Sequence, residues 1–189
     1  MKILVLDNYD SFTYNLVHYL EEVAGERPDV FRNDEITVEA AALYDKILLS
    51  PGPGLPAGSG ILCTLIRELA PVKSIFGVCL GLQAMAEVFG GQLDHLGQVF
   101  HGVATPVHVC KPDELLFREV PRTFMAGRYH SWVVSPKNLP DCFDLTCEDD
   151  EGQIMGLSHK VYDLRGVQFH PESVMTEYGK VMLKNWIFN

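Results

Sequence analysis

Ser74-Ile-Phe-Gly-Val-Cys-Leu-Gly-Leu-Gln-Ala-Met-Ala-Glu-Val-Phe89, followed by Gly90-Gly91, divides at Cys79. Ser74–Val78 is a short apolar run of the kind that forms a buried strand, and Leu80–Phe89 has the composition of a helix closed by the two glycines. A strand that delivers straight into a helix is the repeating step of a doubly wound α/β fold. At the junction, Gly77-Val78-Cys79-Leu80-Gly81 is the cysteine form of the nucleophile elbow, G-x-S-x-G. Small residues two positions either side of Cys79 permit the tight turn, and the helix N-terminus beneath it favours the thiolate that attacks.

Working outward, the same alternation recurs. Ile3–Leu6 reads as a buried strand ending in the polar patch Asp7-Asn-Tyr-Asp-Ser11, and Phe12, Leu16, Tyr19, Leu20 and Val23 follow at helical spacing. Val30-Phe31 and Lys46–Ser50 are further strands, Ile61–Leu69 a further helix, and Pro51-Gly-Pro-Gly54 a loop whose prolines and glycines forbid regular structure. The fold class expected is therefore α/β: a central, largely parallel sheet flanked by helices, with ligands at the carboxyl ends of its strands. Past Gly91 the texture shortens and adds β-strands at Val99, Val103–Val109, Tyr129–Val134, Phe143–Cys147, Ile154–His159 and Val161–Phe169. A short helix is expected at Pro112–Glu119 and a last one at Met175–Phe188. No linker or repeat interrupts residues 1–189, which read as one domain, and Glu148-Asp-Asp-Glu151 reads as a solvated turn.

The chain has 189 residues, 47% hydrophobic and 21% charged, which excludes disorder, a collagen-like repeat and a coiled-coil rod. A net charge of −10 disfavours nucleic acid and anionic membrane surfaces as partners. The N-terminal apolar run breaks at Asp7, too early for a signal peptide, and no segment approaches the ~20 apolar residues of a membrane span, so a cytoplasmic location is expected. Five cysteines without paired short spacing argue against a disulfide framework or a zinc site, and no histidine has a second ligand at metal spacing.

A nucleophile needs a base. His170-Pro171-Glu172 follows an apolar run, and in extended backbone residues i and i+2 point the same way, so imidazole and carboxylate can pair. His170 would take and return the proton while Glu172 orients the ring. Oxyanion donors are expected from the backbone N–H of Leu80 and from the Gly52-Pro53-Gly54 loop, through Gly54. Gln83 lies four residues past Cys79, on the same helical face.

Taken together, Gly77-Val-Cys-Leu-Gly-Leu-Gln83, Gln168-Phe-His-Pro-Glu-Ser173 and Ser50-Pro-Gly-Pro-Gly54 resemble the three signatures of the class I, triad-type glutamine amidotransferases, in their order and spacing, over essentially the whole chain. Asp7-Asn-Tyr-Asp-Ser-Phe-Thr-Tyr-Asn15 and Arg128-Tyr-His-Ser131 look most like the glutaminase subunits of anthranilate synthase and aminodeoxychorismate synthase. The resemblance implies a flavodoxin-like amidotransferase fold and hydrolysis of L-glutamine through a γ-glutamyl thioester on Cys79. The ammonia would be channelled to a separate chorismate-using synthase subunit. It implies catalytic roles for Cys79, His170 and Glu172, and a glutamine site formed by Gly52, Pro53, Gly54, Gln83, Ser131 and Trp132. It calls for no metal or organic cofactor. Leu82, Val103 and Trp132 depart from the subfamily's usual His, Lys and Leu, which bears on pocket shape and partner contacts.

Overall fold

Alternation along single strands decides which side of the sheet each residue faces. In the computed structural model, which describes all 189 residues, strand β1 (Ile3–Asp7) sends Ile3 and Val5 into one apolar cluster and Leu4 and Leu6 into another. Strand β4 (Ser74–Val78) divides likewise, Phe76 and Val78 from Ile75. Both faces are thus buried, as parallel strands covered by helices require. The first cluster is completed by Leu16, Val17 and Leu20 of α1 (Thr13–Ala24) and by Met182, Leu183 and Trp186 of α5 (Gly179–Ile187). The second takes Leu62, Leu65, Ile66 and Leu69 of α3 (Leu62–Leu69) and Leu80, Leu82 and Met85 of α4 (Leu80–Val88).

The remaining strands are β2 (Asp29–Arg32), β3 (Lys46–Leu49), β5 (Leu93–His95), β6 (Val103–Val109), β7 (Thr123–Arg128), β8 (Trp132–Val134), β9 (Phe143–Asp149), β10 (Ile154–His159) and β11 (Leu164–Val167). Nine of the strands form one sheet in the order β2-β1-β3-β4-β11-β10-β9-β6-β7. Pairings from β2 to β11 are parallel, and those from β11 to β7 antiparallel. The later strands therefore extend the same sheet, making it mixed, within a single α/β domain. β5 and β8 form a separate ribbon beside α4. β4 and β11 are adjacent and parallel in register, Val78 opposite Val167, so the elbow and the histidine loop leave the sheet side by side.

Several boundaries differ from the sequence expectation. Pro112–Glu119 contains only a 3₁₀ turn at Leu115–Phe117, because Glu114 and Arg118 on either side are extended. The last helix starts at Gly179 rather than Met175, since Tyr178 is left-handed, with φ of 60°. Val99 lies in an exposed loop, and the strand expected over Val161–Phe169 is confined to Leu164–Val167, with Val161 in the turn before it. A short helix α2 (Val38–Ala41), the strand β7 and the β5 strand had no periodicity strong enough to mark them. Within the acidic run, Asp149 is not solvated: it is buried and paired with Arg128 at 2.7 Å.

Candidate active site

Cys79 sits between β4 and α4 with φ 52° and ψ −100°, a positive-φ conformation that a non-glycine residue adopts only when its surroundings enforce it. The enforcement is visible in the flanking glycines. A Cβ on Gly77 would lie 2.6 Å from the Gly81 carbonyl carbon, and one on Gly81 would lie 2.9 Å from the Leu49 carbonyl oxygen. Strand and helix can cross this closely only without side chains there.

His170 follows β11 and is held at its backbone: its N–H donates to the Gly127 carbonyl at 3.0 Å, and its carbonyl accepts from the Thr176 hydroxyl at 2.5 Å. The ring Nδ1 meets Glu172 Oε1 at 2.7 Å, with both side chains buried. Burial opposes a charged ring, but Cys79 and Glu172 outweigh it and raise the His170 pKa to about 10. These neighbours favour the protonated ring, the kind of neighbour that suits a thiolate. His170 Nε2 and Glu172 Oε2 are two of only four buried side-chain polar atoms in the protein without a hydrogen-bond partner. Polar atoms left unpaired in this way are uncommon in folded proteins and call for a reason such as chemistry. Tyr129 packs against the imidazole at 4.8 Å between centroids with the rings tilted by 57°, and Phe12 meets it edge-on at 6.3 Å.

The Pro51–Gly54 loop is fixed from below. Asn8 donates its backbone N–H to Ser50 Oγ at 2.8 Å and its side-chain amide to the Ser50 carbonyl at 2.8 Å, while Asn33 donates to Asn8 Oδ1 at 3.0 Å. A Cβ on Gly52 would fall 2.5 Å from the Asn8 carbonyl oxygen and 2.9 Å from a Leu80 methyl. The loop therefore rests on the first residue of α4, whose N–H lies ahead of the helix's own hydrogen-bond ladder and is free for a ligand.

Two cavities meet at Cys79. The smaller, about 220 Å³, is lined by Gly52, Pro53, Gly54, Gln83, Ser131 and Trp132 together with the thiol. This gathers every residue expected to hold substrate. The larger, about 350 Å³, runs past His170 to Asp10, Phe12 and His101. Asp10 is held above the usual carboxylate range by burial. Glu172 lies behind His170 and lines neither cavity. Of the three departures, Leu82 is fully buried in the apolar core and lines neither cavity, and Val103 is exposed at the start of β6. Only Trp132 bears on pocket shape, its ring standing edge-on to His95 at 4.9 Å.

The geometry is matched by the similarity of the whole chain to known proteins. Residues 4–189 match the model of the glutamine amidotransferase class-I family. The chain belongs to this family. Among relatives of this amidotransferase, anthranilate synthase beta subunit 2, chloroplastic, of Oryza sativa subsp. japonica is 47% identical over 98% of the chain and 70% of its own length. Aminodeoxychorismate/anthranilate synthase component 2 of Bacillus subtilis strain 168 is 44% identical over 98% of the chain and 95% of its own. A solved structure from Thermoplasma acidophilum, provisionally described as belonging to a GMP synthase, superposes with a TM-score of 0.88 at 28% identity, covering 99% of this chain and 92% of that one.

Sequence reasoning did not single out some residues that lie at the site. Gln168 donates to Cys79 Sγ at 3.4 Å, and its Oε1 accepts from Gln83 at 3.1 Å. The alternation that pairs His170 with Glu172 also puts Gln168 two residues before His170, a signal that was available. His130 has its pKa pushed down to about 3 by burial and then by Arg128, so the amidotransferase keeps it neutral. No helix is long and apolar enough to cross a membrane.

Proposed function

We propose that residues 1–189 form one amidotransferase domain that hydrolyses L-glutamine and supplies ammonia to a chorismate-using synthase subunit, as the glutaminase component of anthranilate synthase in tryptophan biosynthesis. The observation that carries the reading is the strained Cys79 elbow facing a buried His170–Glu172 pair, with the expected glutamine cavity opening on the thiol. Cys79 Sγ attacks the side-chain amide carbon of glutamine. The oxygen gains the electron pair and is met by the N–H groups of Leu80 and Gly54. Collapse expels the nitrogen, which takes a proton from imidazolium His170 and leaves as ammonia, and the γ-glutamyl thioester remains on Cys79. His170, now neutral, takes a proton from water as it attacks the thioester; glutamate leaves and the thiolate–imidazolium pair is restored. Glu172 keeps Nδ1 protonated and stabilises the cation. No step requires a metal or organic cofactor.

Residues Gly52, Pro53, Gly54, Gln83, Ser131 and Trp132 hold glutamine, and the larger cavity is the ammonia exit toward the synthase. A second reading, the aminodeoxychorismate synthase component of folate biosynthesis or one component shared by both, is favoured by the Bacillus relative, whose name carries both activities. The test is recovery of the bound synthase and identification of the product made from chorismate and glutamine. Anthranilate supports the first reading; aminodeoxychorismate, alone or with it, supports the second. Cys79→Ser should abolish glutamine-dependent synthesis and leave ammonium-dependent synthesis intact; loss of both refutes the division of labour.

A further inference from the structure

We propose that Gln168 is a further catalytic residue: its side-chain N–H holds the Cys79 thiolate, and Gln83 sets the polarity that lets it do so. The inference rests on Cys79 being the nucleophile. Gln168 is fully buried directly after β11, its backbone N–H bonded to the Met155 carbonyl at 2.8 Å, and its Nε2 lies 3.4 Å from Cys79 Sγ. An amide is symmetrical in shape but not in charge, so the contact helps a thiolate only if the nitrogen, not the oxygen, faces sulfur.

The surrounding bonds decide which it is. The Trp132 carbonyl can only accept, so the Gln83 atom 2.9 Å from it is the donating Nε2. That same nitrogen has a second hydrogen, directed to Gln168 at 3.1 Å, which makes the facing Gln168 atom the oxygen and leaves its nitrogen for Cys79. The Trp132 carbonyl is steadied by His130 Nδ1 at 3.0 Å. His130 must donate there because its Nε2 accepts from the Arg128 guanidinium at 3.1 Å, a group with no acceptor. Arg128 is anchored by Asp149 at 2.7 Å and Gln153 at 2.6 Å. The amide orientation at the sulfur is thus fixed at the Trp132 carbonyl, which accepts from Gln83 on one side and from the Arg128-anchored His130 on the other. The Gln168 amide does not titrate, so it acts by favouring the anionic sulfur and fixing its direction, and transfers no proton.

The test is peptide-resolved capture of Cys79 by iodoacetamide from pH 5 to 9 in the folded full-length chain, for the wild type, Gln168→Met and Gln168→Glu. Losing one hydrogen bond to a charged sulfur should slow capture at pH 6 by about tenfold and move the pH profile of capture upward, with the rate recovering at high pH. Gln168→Glu keeps an acceptor for Gln83 and nearly the same shape but sets an anion against the sulfur, so its loss at pH 6 should exceed that of Gln168→Met. Coincident profiles, or rates lowered equally at every pH, overturn the inference and leave Gln168 a packing residue; if Gln168→Met does not fold, Gln168→Glu decides alone. A diazoketone analogue of glutamine that fails to label wild-type Cys79 would instead refute the nucleophile assignment.

Discussion

His130 gives the protein a built-in sensitivity to mild acid. Its pKa is depressed from 6.5 to about 3, first by burial and then by Arg128, so the folded state holds the ring neutral while the unfolded chain binds a proton below 6.5. The unfolded state binds more protons, hence stability rises with pH across this window and is lost as pH falls from about 6.5 toward 3. At pH 5 the loss from this one group is about 2 kcal/mol, from 1.5 pH units at about 1.36 kcal/mol each. A chain of this size has an unfolding free energy of order 5–15 kcal/mol, and the loss amounts to a Tm drop of roughly 4–8 °C. His130→Gln can accept from Arg128 and donate to the Trp132 carbonyl but does not titrate, so it removes the acid sensitivity while keeping both contacts. Denaturant unfolding of wild type and variant at pH 7, 6 and 5 isolates it, because every other titrating group cancels in the difference. The variant should be less acid-sensitive by about 2 kcal/mol between pH 7 and 5. Parallel stability curves would show that His130 is protonated in the fold and that the polarity of the Arg128–His130–Trp132 chain is misread.

Gly52→Ala forces a Cβ to within 2.5 Å of the Asn8 carbonyl oxygen, a backbone atom held by buried hydrogen bonds, so the loop must move off α4; glutamine hydrolysis should fall by at least tenfold and Tm should fall with it, checked by steady-state kinetics and calorimetry. Glu172→Gln retains a hydrogen bond to His170 Nδ1 but not the charge. It should lower the turnover of glutamine by roughly 10²–10⁴-fold with KM nearly unchanged, and a large KM effect would assign Glu172 to binding instead. Arg128→Met leaves Asp149 buried without its cation and should cost about 3–5 kcal/mol in urea unfolding, while Arg128→Met with Asp149→Asn, which removes the charge but keeps the acceptor for the Glu151 and Gln153 N–H groups, should recover part of it.

What the sequence disclosed and what it hid divide by range. The elbow was legible because strand, turn and helix follow one another within Ser74–Val88, and each element is marked by its own local composition. His170 and Glu172 were legible for the same reason, being two residues apart in extended chain. The residues expected to hold substrate were named through resemblance to a family, and they line one cavity on one side of the thiol. By contrast, Asp149 reads as solvent-facing in Glu148-Asp-Asp-Glu151. What buries it is Arg128, twenty-one residues away, reached only because β6 pairs with both β7 and β9. Helix ends misjudged at Met175 and Pro112 depend on single backbone angles that periodicity does not record.

The same distinction explains why Gln168 and Gln83 have to be read together. Each alone is an ordinary polar residue. Gln83 lies 85 positions from Gln168, and Gln168 lies 89 from Cys79, so no local pattern links the three. Adjacency of β4 and β11 in the sheet brings Val78 opposite Val167, and one residue further along each strand the chain presents Cys79 and Gln168 side by side. A nucleophile at a strand end is thus flanked by whatever its parallel neighbour carries at the same level. Here that residue is an amide whose orientation is locked, which makes sheet register itself a determinant of the thiol's chemistry. A slip of β11 by one residue would present Phe169 to the sulfur in place of the amide and carry His170 out of step with Cys79 as well, so sheet register sets both of the thiol's polar neighbours at once.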